Sequence, residues 1–428
     1  MRPTALLLGH GLGDAGDLPV ALPAVLFLGA GLVLLAAWMA DRRSVSADAE
    51  TEGRALPRLT SFADSAVTRG VGRALTLAGL ITAIVTAAMG PSTAAQNPAP
   101  RLVFMVFWGL LIPASLLFGR IWRAVNPFRT LAAGLARLSG DPDWSTAAPL
   151  PKGIGVWPAV IQLGVFVWAV LGIWERSGPV LMVLLALTLV QLLAANRYGP
   201  AWFDHGDPFE VVADLAASVA PLARNGEGVL VLRAPRIGAS HMRADAGVPA
   251  FLALLVGGYL TDFTVDTPLV HELRGPYLRT GQLVIDTLVL AVLTVLVLLA
   301  IRWVTRRASF LLPAFVPVAA GYALAHDFGV LIVEGQFAVI QLSDPLGLGW
   351  DLLGLSGRYV PAEPIPAMVA SLVVVGVLIV GHVAAALLGR SLVPAQFSGR
   401  AAVAVQLPLR AFLVVSVVVG MAARLIVA

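Results

Sequence analysis

Cysteine is absent from the 428 residues, which excludes disulfides, thiolate metal sites and a cysteine nucleophile. Charge is scarce: Asp, Glu, Lys and Arg make up 13% of the chain, and there are six histidines. The standard catalytic signatures are missing too. There is no HExxH, no nucleophile elbow, no phosphate-binding glycine loop and no CxxC, and no strand precedes the GGYL at 257–260 that would make it a dinucleotide fingerprint. The opening MRPTALLLGHG has an apolar core too short for a signal peptide and no clear small-x-small cleavage site, so the first helix is expected to act as an uncleaved insertion signal.

What the chain has in quantity is apolar sequence. Hydrophobic residues make up 58%, much of it in blocks of membrane-spanning length, and the 42 glycines suit helices that pack closely in lipid. Ten blocks qualify: 19–40, 73–90, 101–119, 156–174, 178–196, 248–266, 280–302, 309–341, 366–389 and 401–427. The expected fold is all-α, a polytopic helical membrane bundle of about 10 transmembrane helices. It divides into helices 1–5 (1–196), a loop with one capped helix (197–247) and helices 6–10 (248–428). Arginine alternates across the connections. The loop after the first block carries Arg42, Arg43, Arg54, Arg58, Arg69 and Arg73, whereas GPSTAAQNPAP after the second has none. By the positive-inside rule the basic loops are cytoplasmic and both termini are outside. This accounts for the net charge of +4 without nucleic acid, and makes membrane lipid, with an anionic inner leaflet, the expected partner in the plasma (cytoplasmic) membrane.

Two cytoplasmic segments carry helix signals. In RIWRAVNPFRTLAAGLARL, at about 120–138, apolar residues from Ile121 to Leu138 recur at helical spacing, with a break at Pro127, as in a helix lying along the inner leaflet. In GDPFEVVADLAASVAPLARNGEG, Asp207 is the expected N-cap, Pro208 follows at the first helical position, Glu210 completes a capping box and Asn225-Gly226 marks the stop. Ten spans divide into five and five, an arrangement that would invert the second half relative to the first. Pro113 in the third span and Pro313 and Pro317 in the eighth mark matching interruptions.

Polar groups at membrane depth concentrate in the last five spans. Asp327 and Glu334 are seven residues apart and share a helix face, with Gln341 completing the row. An isolated charge facing lipid costs ~2.5–3.5 kcal/mol on insertion scales, so this face turns toward protein or water. Asp262, Asp286 and Glu334 fall at similar depth and require a cation, a proton or an arginine among them. His326 lies beside Asp327, with His382 and Arg410 deeper. Asp327 pairing with Arg410 would be architectural, and His382 could be held by a backbone carbonyl. Alternatively, His326, Asp327, Glu334, His382, Asp286, Asp262 and Arg410 form an ion, proton or substrate site. His326, Glu334 and His382 could also hold a divalent metal. The loop 343–364 would cap the site, with Asp344, Trp350 and Asp351 at an outer mouth. His10, Asp14 and Asp17 near the amino terminus are a weaker metal-ligand pattern.

The same motifs carry a resemblance. NPFRTLA (126–132), YGPAWFDHGDPFEV (198–211), HDFGVLIVEGQ (326–336), SDPLGLGWDLLG (343–354) and GHVAA (381–385), in this order and after an early HGLGDAGDLPV, resemble the actinobacterial multi-pass membrane proteins labelled fenitrothion hydrolase. The resemblance implies hydrolysis of an organophosphate triester. The residues themselves leave three readings open: a proton- or cation-coupled transporter of a small solute or ion, a membrane-embedded metal-dependent hydrolase, and a scaffold.

Overall fold

The computed structural model describes residues 15–42, 53–173, 175–276, 278–361 and 364–426. His10 and Asp14 lie outside them. The chain is a helical bundle, and the only sheet among the described residues is small. We number the bundle helices α1 (Leu22–Arg42), α2 (Ala66–Met89), α3 (Pro98–Phe118), α4 (Trp157–Gly172), α5 (Ser177–Tyr198), α6 (Val248–Thr264), α7 (Arg279–Thr305), α8 (Phe315–Gln341), α9 (Ala367–Ser391) and α10 (Gly399–Leu425). Each corresponds to one of the ten apolar blocks. Among the described residues eight are long and apolar enough to cross a membrane; α6 makes a ninth if joined to Pro268–Arg274 across an 83° bend. The shortest, α4, has 16 residues, a rise of about 24 Å, less than the thickness of a bilayer's hydrocarbon core. This is a multi-pass membrane protein.

The bundle is organised around α8. Its apolar stretch is 67% buried, against 17–33% for α1, α2, α5, α7 and α10. It packs on α9, α6 and α3. Its approach to α9 depends on two glycines: a Cβ on Gly381 would fall 2.7 Å from the Pro317 carbonyl oxygen and 2.8 Å from the Gly321 Cα. Small residues at a crossing let two backbones touch where lipid supplies no hydrophobic drive. The row expected on α8 faces inward, with Asp327, Glu334 and Gln341 all buried.

Irregular backbone occurs in the two spans where matching interruptions are expected, α3 and the approach to α8. In α3, Pro98–Pro100 leads into a π-helical stretch, Arg101–Phe107, and α8 is preceded by a 3-10 turn, Ser309–Ala314, that contains Pro313. The wider π-turns re-aim side chains and recur at functional sites. Here the π-helix places Arg101 beside Glu334 and sets Phe104 and Met105 along a cavity described below.

The segment between α5 and α6 departs from expectation. Asp207 does cap a helix, accepting from the backbone N–H groups of Phe209 (2.9 Å) and Glu210 (3.3 Å). The helix Pro208–Ser218 is not a loop element, however: all its residues except Asp214 are buried, against α3 and α4. Nor does it run to Asn225. It stops ahead of Pro221, which has no N–H to donate and disfavours a helical residue before it. Asn225 instead turns a hairpin between β2 (Leu222–Arg224) and β3 (Leu230–Leu232), which also pairs with β1 (Arg54–Ala55). Glu210 does not close a capping box; its carboxylate takes Arg129 Nε at 2.7 Å and Asn126 Nδ2 at 3.1 Å. The amphipathic segment breaks where expected, into Ile121–Val125 and Pro127–Leu138. Only its far end is an apolar surface, because Trp122 and Phe128 are buried in the bundle while Leu135 and Leu138 are exposed.

Candidate functional site

Among the described residues, the arginine-rich connections lie at one end of the bundle, the basic end; the connections around Thr93, Arg176, Arg279 and Pro345 lie at the other. A cavity of about 140 Å³ reaches in from the latter. Phe104, Met105 and Trp108 of α3, Val167 and Leu171 of α4, and Leu255, Gly258 and Tyr259 of α6 supply its apolar walls. Glu175, Asp262, Asp266, Arg274, Arg279 and His326 supply its polar groups.

His326 is fixed on both ring nitrogens. Nδ1 is 2.8 Å from Asp327 Oδ1, its chain neighbour, and Nε2 forms an ion pair with Asp262 of α6. Tyr259, one turn before Asp262, donates its hydroxyl to Asp327 Oδ2 at 3.2 Å. The Tyr259 ring lies 5.5 Å from the imidazole, and Phe263 packs at 6.1 Å. On α3, Gly109 leaves room for this corner: a Cβ there would sit 3.1 Å from Leu331 and 3.4 Å from the Asp327 Cβ.

An ionised carboxylate only accepts hydrogen bonds, so two carboxylates on one imidazole require either a doubly protonated ring or a protonated acid. With the ring charged, Asp262 and Asp327 still leave the trio one negative charge in excess. The cavity's other charges are largely cancelled: Arg274 Nε bonds Asp286 at 2.7 Å, and Arg279 lies 3.5 Å from Glu175. Asp266 makes no ion pair among the described residues. The cavity is therefore net acidic and holds several oxygen and nitrogen atoms that exchange protons.

The remaining candidates are placed elsewhere. Glu334 is buried and pairs with Arg101 Nε at 2.5 Å, and Arg101 also donates to the Ala94 carbonyl. Gln341 donates to the carbonyls of Ala94 and Ala95, both at 2.9 Å. Asp286 is buried against Arg274. Arg410 does not reach Asp327. It binds Asp41 of α1 at 2.6 Å, with Arg390 3.6 Å from the same oxygen. His382 is held by the Leu378 carbonyl (2.7 Å) and Ser416 Oγ (2.9 Å), and the Ser416 carbonyl accepts from Tyr322. His326, Glu334 and His382 thus do not converge, and among the described residues no three His, Asp or Glu side chains form a metal-ligand group.

Among the described residues of the loop 343–364, none lines the cavity. Asp344 folds back on the N–H groups of Leu348 and Gly349, both at 2.9 Å, and Asp351 accepts from Ser343 Oγ at 2.6 Å and Leu355 N at 2.8 Å. The loop rests on the connection after α2, where a Cβ on Gly347 would meet Pro91 at 2.8 Å. The opening is bordered instead by Glu175, Asp266, Arg274 and Arg279.

Below the cavity an aromatic cluster closes the bundle. Phe209 stands 4.9 Å from Phe107 and 5.0 Å from Phe166, Trp108 lies 5.1 Å from Phe166, and Phe107 lies 4.8 Å from Trp122. Trp108 also stacks on Tyr259 at 6.3 Å. Beyond this cluster, at the basic end, Gln162 and Gln191 bond the Gly206 carbonyl, and Asn126 bonds Asp207 at 2.6 Å.

Sequence reasoning missed Arg101, Tyr259 and Arg274. Arg101 is the first residue of the expected third span and looks like a boundary residue, although it stands between PAP and LVFMVF. No protein-family model, curated protein or solved structure matches this chain.

Proposed function

We propose that this protein is a proton- or cation-coupled transporter of a small solute, working in the cytoplasmic membrane with its basic end inside. One observation carries the reading: His326 is shared between Asp262 and Asp327 at the wall of a net acidic cavity that an aromatic cluster closes from the opposite end. Such a trio gains or loses a proton with only small movements of hydrogen-bonded atoms, and ionisable groups kept at membrane depth mark proton and ion pathways. A cavity open to one side and sealed toward the other is one of the two states that alternating access requires. The favoured cargo is a cation or a protonated amine with an apolar part, since acidic groups and the rings of Trp108, Tyr259 and Phe104 surround the space.

The hydrolase implied by the resemblance would need an imidazole lone pair facing water, or a metal. Both nitrogens of His326 face carboxylates, and among the described residues no serine or threonine lines the cavity. The test uses proteoliposomes on a solid-supported membrane. A pH jump should displace charge in the wild type, and the signal should vanish in Asp262→Asn while surviving in Asp286→Asn. Cleavage of a thiophosphate triester by the same preparation, with no charge displacement, would overturn transport in favour of hydrolysis.

A further inference from the structure

A second cavity, of about 250 Å³, lies at the basic end and plays no part in the proposed pathway. Four arginines line it: Arg73 of α2, Arg123, and Arg129 and Arg137 of the helix Pro127–Leu138. Arg129 binds Glu210 Oε1 at 2.6 Å and Asp204 Oδ1 at 2.8 Å, and Arg123 pairs with the same two carboxylates. Arg73 and Arg137 make no ion pair among the described residues. Their recorded bonds go to backbone carbonyls, Arg73 Nε to Ala124 at 3.1 Å and Arg137 Nη1 to Ala133 at 3.3 Å. Four guanidinium groups and, among the described residues, no carboxylate line the cavity: Asp204 and Glu210 stand behind Arg123 and Arg129, and Asp207 behind Asn126.

The wall is built rather than incidental. Trp144 is the one non-glycine residue with positive φ (56°) among the described residues, a costly conformation for a bulky side chain. It is held there by a loop in which Asp141 accepts from the N–H groups of Ser145 (2.7 Å) and Thr146 (3.0 Å), and by Gly199, whose missing Cβ would sit 3.6 Å from that of Trp144. Thr130 adds a hydroxyl to the lining, and Leu135 and Leu138 of the same helix are exposed, an apolar strip of the kind that lies on a membrane surface.

We propose that this cavity binds a phosphomonoester dianion, presented either by a lipid headgroup of the inner leaflet or by a small soluble phosphate compound. Arg73 and Arg137, two guanidinium groups with no ion pair among the described residues, match a dianion in charge, and planar forks of N–H donors match phosphate oxygens in geometry. The proposal does not depend on the transport reading.

Full-length protein is placed in nanodiscs containing either phosphatidic acid, a monoester, or phosphatidylglycerol, a diester, and retained lipid is measured by native mass spectrometry. Titration calorimetry with glycerol 3-phosphate on detergent-solubilised protein forms the soluble arm. Preferential retention of phosphatidic acid assigns the lipid source, and saturable glycerol 3-phosphate binding the soluble one; either supports the site. The variant is Arg73→Gln with Arg137→Gln, which leaves every ion pair of Asp204 and Glu210 in place. It should weaken binding at least about tenfold, as expected from losing one or two charge-assisted hydrogen bonds. Arg137→Gln alone gives the same readout if the pair lowers Tm. Equal retention of both lipids without glycerol 3-phosphate binding, or unchanged binding in a folded variant, overturns the proposal.

Discussion

Two kinds of carboxylate in the bundle contrast. Glu334 with Arg101, Asp286 with Arg274, and Asp41 with Arg410 are acids matched by arginine, an ion that does not give up its proton. Asp262 and Asp327 instead share a single histidine, the side chain that titrates most readily near neutrality. Two of the matched pairs also tie sequence-distant helices together away from the cavity, α3 to α8 and α1 to α10, whereas the shared trio borders open space. Burial alone therefore does not mark a site: Glu334 is as buried as Asp327, yet its chemistry is that of a structural pin.

The strongest test removes a pin. Arg101→Gln leaves Glu334 buried without its partner and should cost about 3–5 kcal/mol, seen as a large fall in Tm by fluorescence-detected size exclusion. Replacing both residues together, Arg101→Met with Glu334→Met, should restore most of that loss, because the penalty comes from the stranded charge. A single variant as stable as the wild type would place Glu334 in the other class. Asp286→Asn follows with a smaller effect, about 1–3 kcal/mol, since Arg274 keeps its contact with the Val265 carbonyl and is partly exposed.

This division was only half legible in the sequence. The inward face of α8 followed from a seven-residue spacing, and the need for a cation among Asp262, Asp286 and Glu334 followed from the cost of bare charge in lipid. The partners did not follow. Arg101 and Glu334 are 233 positions apart, and no local pattern joins them. Arg410 was assigned to Asp327 by depth, but its helix α10 packs on α1, where Asp41 meets it. Helix signals at 207–226 were equally visible, but whether that helix lies in a loop or among its neighbours depends on Phe209 finding Phe107 and Phe166, a fact of packing.

Asp262→Asn tests the other class. The Asp262 side chain borders the cavity and His326 keeps Asp327 as a partner, so its replacement should cost about 1–3 kcal/mol, the range for one charge-assisted hydrogen bond. The charge displacement after a pH jump should nevertheless disappear. A variant that loses several times that stability while keeping the signal would make the trio another structural pin.

The smallest effect is expected where a carboxylate is satisfied without any cation. Asp351, in the loop outside the spans, is held at about 2, below the usual carboxylate range, by the Ser343 hydroxyl first and then by Ser356 and the Leu355 N–H. Its contribution to loop stability is therefore complete above about pH 4 and is lost as pH falls through about 2. Protection of the Leu355 and Ser356 amides against hydrogen exchange, corrected for intrinsic rate, should decline over that window, and Asp351→Asn should lower it already at neutral pH. Because none of the loop's described residues lines the cavity, the same variant should leave the pH-jump signal intact. Loss of that signal would mean that the loop, and not only the trio of Asp262, His326 and Asp327, takes part in the pathway.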